Sequence, residues 1–173
     1  MKLINDNLKK TGIFNSIFIV IAIVFRLYFI SVFPIATKID SIICIVALIF
    51  GLFYCLSGYK KDAAKYYKAF MYLYLFSCIF SLVASCDGSV LSIIANVLIL
   101  VSAFILAFVK DLGEKKSNGL ALAILGVSII KLCLVITKTI PHISVAFANL
   151  MLTCILCVFV SAKYADKTSR GAK

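Results

Sequence analysis

Residues 89–109 read SVLSIIANVLILVSAFILAFV, twenty-one residues without a charge. About 20 apolar residues in a helix cross the roughly 30 Å hydrocarbon core of a bilayer, so this run is read as a transmembrane span. Outward from it in both directions the pattern recurs. Further runs occupy Ile13–Phe33, Ile39–Ser57, Ala69–Ser85, Gly119–Thr137 and His142–Ala162, which makes six. Of the 173 residues 64% are hydrophobic and 14% charged, against roughly 45–50% and about 25% in an ordinary soluble domain. A soluble core of this size could not consume so much apolar surface. The expected fold is therefore all-α: a polytopic membrane protein, one bundle of six transmembrane helices with short loops over residues 1–173.

Punctuation supports the spans. Pro34 closes the first, and Pro141 stands where a new helix begins, a position that needs no backbone donor. The third is the shortest and draws on Tyr66 and Tyr67 as interfacial aromatics, while Cys86, Asp87 and Gly88 suffice for a tight turn after it. The first apolar stretch is longer than a signal-peptide core and no convincing small-x-small cleavage site follows, so a permanent helix is expected. Tyr54, Tyr59, Tyr66, Tyr67, Tyr72 and Tyr74 crowd the ends of spans two and three and are read as an interfacial belt.

The formal charge of +11 is spread over connections. Fourteen Lys and Arg residues fall in the two tails and the second and fourth connections: Lys2, Lys9, Lys10, Lys60, Lys61, Lys65, Lys68, Lys110, Lys115, Lys116, Lys163, Lys167, Arg170 and Lys173. Only Lys38 and Lys138 lie on the other side. Positive charge accumulates on the cytoplasmic face, so both termini are expected there, in a cell membrane. Nucleic acid is not an expected partner, because these charges form no continuous groove or recognition helix. The lipid bilayer is, and the near absence of loops also suits a membrane partner subunit.

All seven cysteines except Cys86 lie well inside apolar runs, where a thiol behaves as a small hydrophobe. Cys154-x-x-Cys157 has the spacing of a redox or metal motif, but its setting LMLTCILCVFV holds no His or acid. With one histidine in the chain, at 142, no metal site and no cofactor are expected.

The polar residues inside the spans fall at one depth. In GVSIIKLCLVITK, residues 126–138, Lys131 lies six residues before the end of an outward-running span. Arg26 lies seven before Phe33, and Asn96 and Asn149 seven past the starts of inward-running spans. At 1.5 Å per residue all four stand roughly 10 Å below the external surface. Ser77, Cys78 and Ser81 reach similar depths. A charge at a helix centre costs about 2.5–3.5 kcal/mol on insertion scales and so faces protein or water. With Asp40 and Asp87 read as rim residues, neither cation is expected to find a salt bridge within the membrane. Arg26, Lys131, Asn96, Asn149 and Ser77 are therefore the candidate ligand-binding residues of an outward-open cavity for a small anion, Arg26 as a bidentate clamp and Lys131 as a point charge. The plainer alternative lets both long stems snorkel to headgroups and makes the asparagines interhelical glue. Ala95-Asn96 and Ala148-Asn149 each precede a lysine, Lys110 and Lys163, by fourteen residues, a two-letter echo compatible with repeated hairpins or with chance.

Three functions fit. The first is binding or transport of a small anionic solute. In size and topology the whole chain resembles the substrate-binding S components of energy-coupling-factor importers; of the Ala-x-x-x-Ala contact motif those proteins carry in their first helix, SIFIVIAIVFR at 16–26 has only Ala22. The second is a membrane enzyme acting on a lipid or polyprenyl phosphate. No paired acids or His-based dyad is available for it, so no catalytic residue is assigned and an enzyme is the less expected outcome. The third is a non-catalytic subunit of a larger complex.

Overall fold

The computed structural model describes residues 2–32, 35–59, 61–84, 90–109, 112–136 and 141–171. They form six α-helices, α1 (Lys2–Val32), α2 (Ile35–Leu56), α3 (Ala64–Ala84), α4 (Val90–Phe108), α5 (Glu114–Ile136) and α6 (Pro141–Gly171), with one 3-10 turn at Lys61–Ala63. No strand occurs among the described residues. Each helix contains a stretch long and apolar enough to cross a membrane, from 19 residues in α4 to 23 in α1 and α5. The fold is all-helical and the chain is a multi-pass membrane protein. Pro34 and the turn at Cys86–Gly88 lie outside the described residues.

The helices overrun the apolar runs where polar residues keep good helical propensity. α3 starts five residues before Ala69 and carries Lys65 in its first turn, the ammonium 5.2 Å from the Tyr66 ring centre. α1 and α6 extend to Lys2 and Gly171. Hydropathy marks the lipid-compatible part of a helix, not its hydrogen-bonded ends.

Each helix packs against its chain neighbours, and α1 meets α6 to close the ring. α6 buries 56% of its span and α2 44%, against 17% for α5, which makes α6 the inner helix and leaves most of α5 facing outward. In the half of the interior nearest the α2–α3 connection the core is aromatic. Phe159 of α6 meets the rings of Phe70 at 4.8 Å and Tyr54 at 5.4 Å, edge to face, and Tyr59 lies 5.1 Å from Tyr54. Gly51 makes room for this: a Cβ there would stand 2.8 Å from the Phe159 ring.

Here the reading of the tyrosines as an interfacial belt is corrected. Tyr54, Tyr59, Tyr67 and Tyr74 are buried, and of the six only Tyr72 is exposed. Two of these phenols find partners inside: the Asn15 amide donates to the Tyr59 hydroxyl at 2.7 Å, and the Tyr74 hydroxyl lies 3.4 Å from Thr153 Oγ1. A tyrosine can therefore be core without leaving a stranded polar atom.

A candidate anion-binding cavity

The other half of the interior is polar. α1 brings in Arg26, buried to 1% exposure. α2 contributes Asp40 and Cys44, one turn apart on one face. Asp40 is the sixth residue of α2, deep enough to be buried, and it accepts from Arg26 Nη1 at 2.9 Å through Oδ2. This corrects the expectation that no carboxylate neutralises a cation within the membrane. A helix started at Ile35 places Asp40 below the rim rather than on it.

The second carboxylate oxygen and the second terminal nitrogen of the pair are also taken. Ser77 Oγ of α3 donates to Asp40 Oδ1 at 2.6 Å, and the Cys44 thiol lies 3.8 Å from the same oxygen and 3.2 Å from Ser77 Oγ. Arg26 Nη2 donates to Asn149 Oδ1 of α6. One ion pair thus ties together α1, α2, α3 and α6. Breaking a buried pair of this kind typically costs 3–5 kcal/mol, about half the stability of a modest domain.

Lys131 of α5 has a different environment. Its Nζ donates to Asn96 Oδ1 of α4 at 2.6 Å, and the Asn96 amide donates to the Ser81 carbonyl of α3 at 3.2 Å. Among the described residues no carboxylate forms an ion pair with it. Asp87 lies outside them.

Between α3, α4, α5 and α6 is a cavity of about 40 Å³. That is room for a few waters, at roughly 10–15 Å³ each. Its polar lining is Ser77 and Ser81 of α3, Asn96, Lys131 with Ser128 one turn earlier, and Asn149 with Thr153 one turn later. Thr153 Oγ1 donates to the Asn149 carbonyl at 2.9 Å and lies 3.4 Å from the Tyr74 hydroxyl and 3.3 Å from Ser128 Oγ. These hydroxyls floor the cavity above the aromatic core. Ile99, Ala146 and Leu152 supply apolar wall.

Four of the five candidate residues, Lys131, Asn96, Asn149 and Ser77, come together on this lining, whereas Arg26 stands behind it, joined to the lining through Asn149. Sequence reasoning did not assign Asp40, Cys44, Ser128, Thr153 or Tyr74 to this site, reading Asp40 as a rim residue and Tyr74 as part of the interfacial belt. The signal was present as spacing: Ser128 and Lys131 are three apart, Asn149 and Thr153 four apart, Asp40 and Cys44 four apart, each pair sharing a helix face. No three His, Cys, Asp or Glu residues cluster as a metal site among the described residues. No protein-family model, curated protein or solved structure matches the chain.

Proposed function

We propose that the chain binds a small anionic solute in this cavity and carries it across a cell membrane, with both termini cytoplasmic and the cavity on the external side. The observation that supports this reading is the placement of Lys131. It is a half-buried ammonium in a cavity wall, hydrogen-bonded to an amide and not ion-paired among the described residues. Inside a membrane protein, a cation without a carboxylate marks a place where an anion lowers the free energy. Arg26 acts as a positioning residue, since its guanidinium fixes the Asn149 amide oxygen and leaves the NH₂ group for other contacts.

Isothermal titration of the purified protein in detergent, against a panel of small carboxylates and inorganic oxyanions, tests the proposal. At least one anion is expected to bind saturably, and Lys131→Met, which keeps the side-chain length and removes the charge, is expected to abolish that heat. Binding that survives Lys131→Met, or a panel with no binder, would sink it.

A further inference from the structure

The cavity carries more information than its sign. Three formally charged side chains among the described residues meet in the polar layer: Arg26, Asp40 and Lys131. The other titratable groups facing them, Cys44, Cys78 and Tyr74, are thiols and a phenol, ordinarily neutral at pH 7. Among the described residues the layer therefore holds a net charge of +1, not the +2 that two cations alone would give.

Arg26 is not available to a ligand. One terminal nitrogen serves Asp40, the other serves Asn149, and the side chain is almost wholly enclosed. Asp40 is also occupied, one oxygen on Arg26 and the other on Ser77. Ser77 and Thr153 direct their hydroxyl protons at Asp40 and at the Asn149 carbonyl, so toward the cavity they act as acceptors. The donors left for an anion are the Lys131 ammonium, which has given one of its three protons to Asn96, the Asn149 NH₂ and the Ser81 hydroxyl of the lining.

Resting on the anion-binding reading, we infer that the ligand is a monocarboxylate with a short apolar tail. The Lys131 ammonium, with the Asn149 amide and the Ser81 hydroxyl beside it, suits the two oxygens of one carboxylate, each of which accepts more than one hydrogen bond. One unit of positive charge balances one negative charge, and Ile99, Ala146 and Leu152 accept a few carbons. Among the described residues a second carboxylate would meet no accessible cation, and it would lose its hydration in a site of low dielectric. The Arg26–Asp40 pair is then a charge-setting frame: Asp40 acts through Arg26 to hold the site at a single charge.

The test compares propionate with malonate, alike in carbon number and differing in charge, by titration of the full chain at neutral pH and matched ionic strength, with nitrate as a third probe. Malonate is expected to bind at least about tenfold more weakly than propionate. Asp40→Asn, which raises the layer by one charge, is expected to shift the ratio several-fold toward malonate. Equal or tighter malonate binding to the wild type overturns the single-charge inference while leaving an anion site. Nitrate binding tighter than propionate overturns the carboxylate assignment. If none of the three binds, the inference fails; if other anions in the wider panel bind through Lys131, the functional proposal outlives it. The wild-type comparison decides these outcomes even if Asp40→Asn does not fold.

Discussion

Arg26 and Lys131 are both cations in membrane helices, yet their side chains meet opposite environments, and the difference sets what each substitution does. Arg26 is enclosed with Asp40 at 2.9 Å, so Arg26→Met leaves a buried carboxylate with no counter-charge and is expected to destabilise by about 3–5 kcal/mol. Asp40→Leu should cost a comparable amount. The double substitution should recover most of either loss, because a buried pair exchanged for apolar groups is close to neutral. Unfolding of the four proteins in mixed micelles gives the coupling; additive losses would show that the two side chains do not act as a pair. Lys131→Met removes a half-buried charge that forms no ion pair among the described residues, so stability should hold or rise while binding disappears. A linear reading of depth reaches Arg26, Lys131, Asn96, Asn149 and Ser77, because each is the polar exception in an apolar run. It misses that Asp40 belongs with them. Depth along one helix says nothing about facing, and the pair joins residues 14 positions apart through the packing of α1 on α2.

At the scale of the helix, the glycines separate close packing from open surface. A Cβ at Gly12 of α1 would stand 2.5 Å from the Cys55 carbonyl oxygen of α2, a backbone atom that cannot step aside. Gly12→Ala is therefore expected to destabilise by about 1–3 kcal/mol, the usual cost of overpacking. On α5 a Cβ at Gly119 or Gly126 meets nothing within 4 Å. Gly→Ala at either position should stabilise by a few tenths to about 1 kcal/mol through helix propensity and reduced freedom of the unfolded chain. Thermal melts of the three variants test the α1–α2 contact directly, and equal effects would refute it. The turn after α2 adds a pH dependence. Tyr59 closes that turn in the left-handed region at φ 60°, and burial pushes its phenol above its ordinary value near 10. The folded state thus disfavours the phenolate. The stability Tyr59 contributes is complete below pH 10 and falls as the pH climbs above it. The difference in melting temperature between wild type and Tyr59→Phe should be flat below that point and shrink beyond it. Helix number was readable from hydropathy because lipid exposure demands long apolar runs; the start of α3 was not, since Lys65 and Lys68 interrupt hydropathy without interrupting a helix. The burial of Tyr54, Tyr67 and Tyr74 was hidden for a related reason: an amphipathic ring suits an interface and a core equally well.

At the scale of the whole molecule, the distribution of basic residues and the position of the cavity make one joint prediction. If the fourteen cationic residues of the tails and the second and fourth connections face the cytoplasm, the end of the bundle that holds Lys131 and Asn149 faces outward, and the aromatic end with Phe70 and Phe159 closes the inner side. With the seven native cysteines replaced, Lys131→Cys should react from outside intact cells with a membrane-impermeant thiol reagent, and the anion that binds should slow the reaction. Arg26→Cys provides the internal contrast. At 1% exposure and walled by Asp40 and Asn149, it should stay unlabelled until the protein is unfolded. A green fluorescent reporter fused after Lys173 should glow, because it matures on the cytoplasmic side. Labelling of Lys131→Cys only in inverted vesicles would reverse the orientation and place the cavity on the inner face, with the charge frame unchanged. Equal labelling at both positions, in an Arg26→Cys protein that still melts cooperatively, would instead show that Arg26 reaches the cavity. The site would then hold two accessible cations, and the argument for a single-charge ligand would no longer stand.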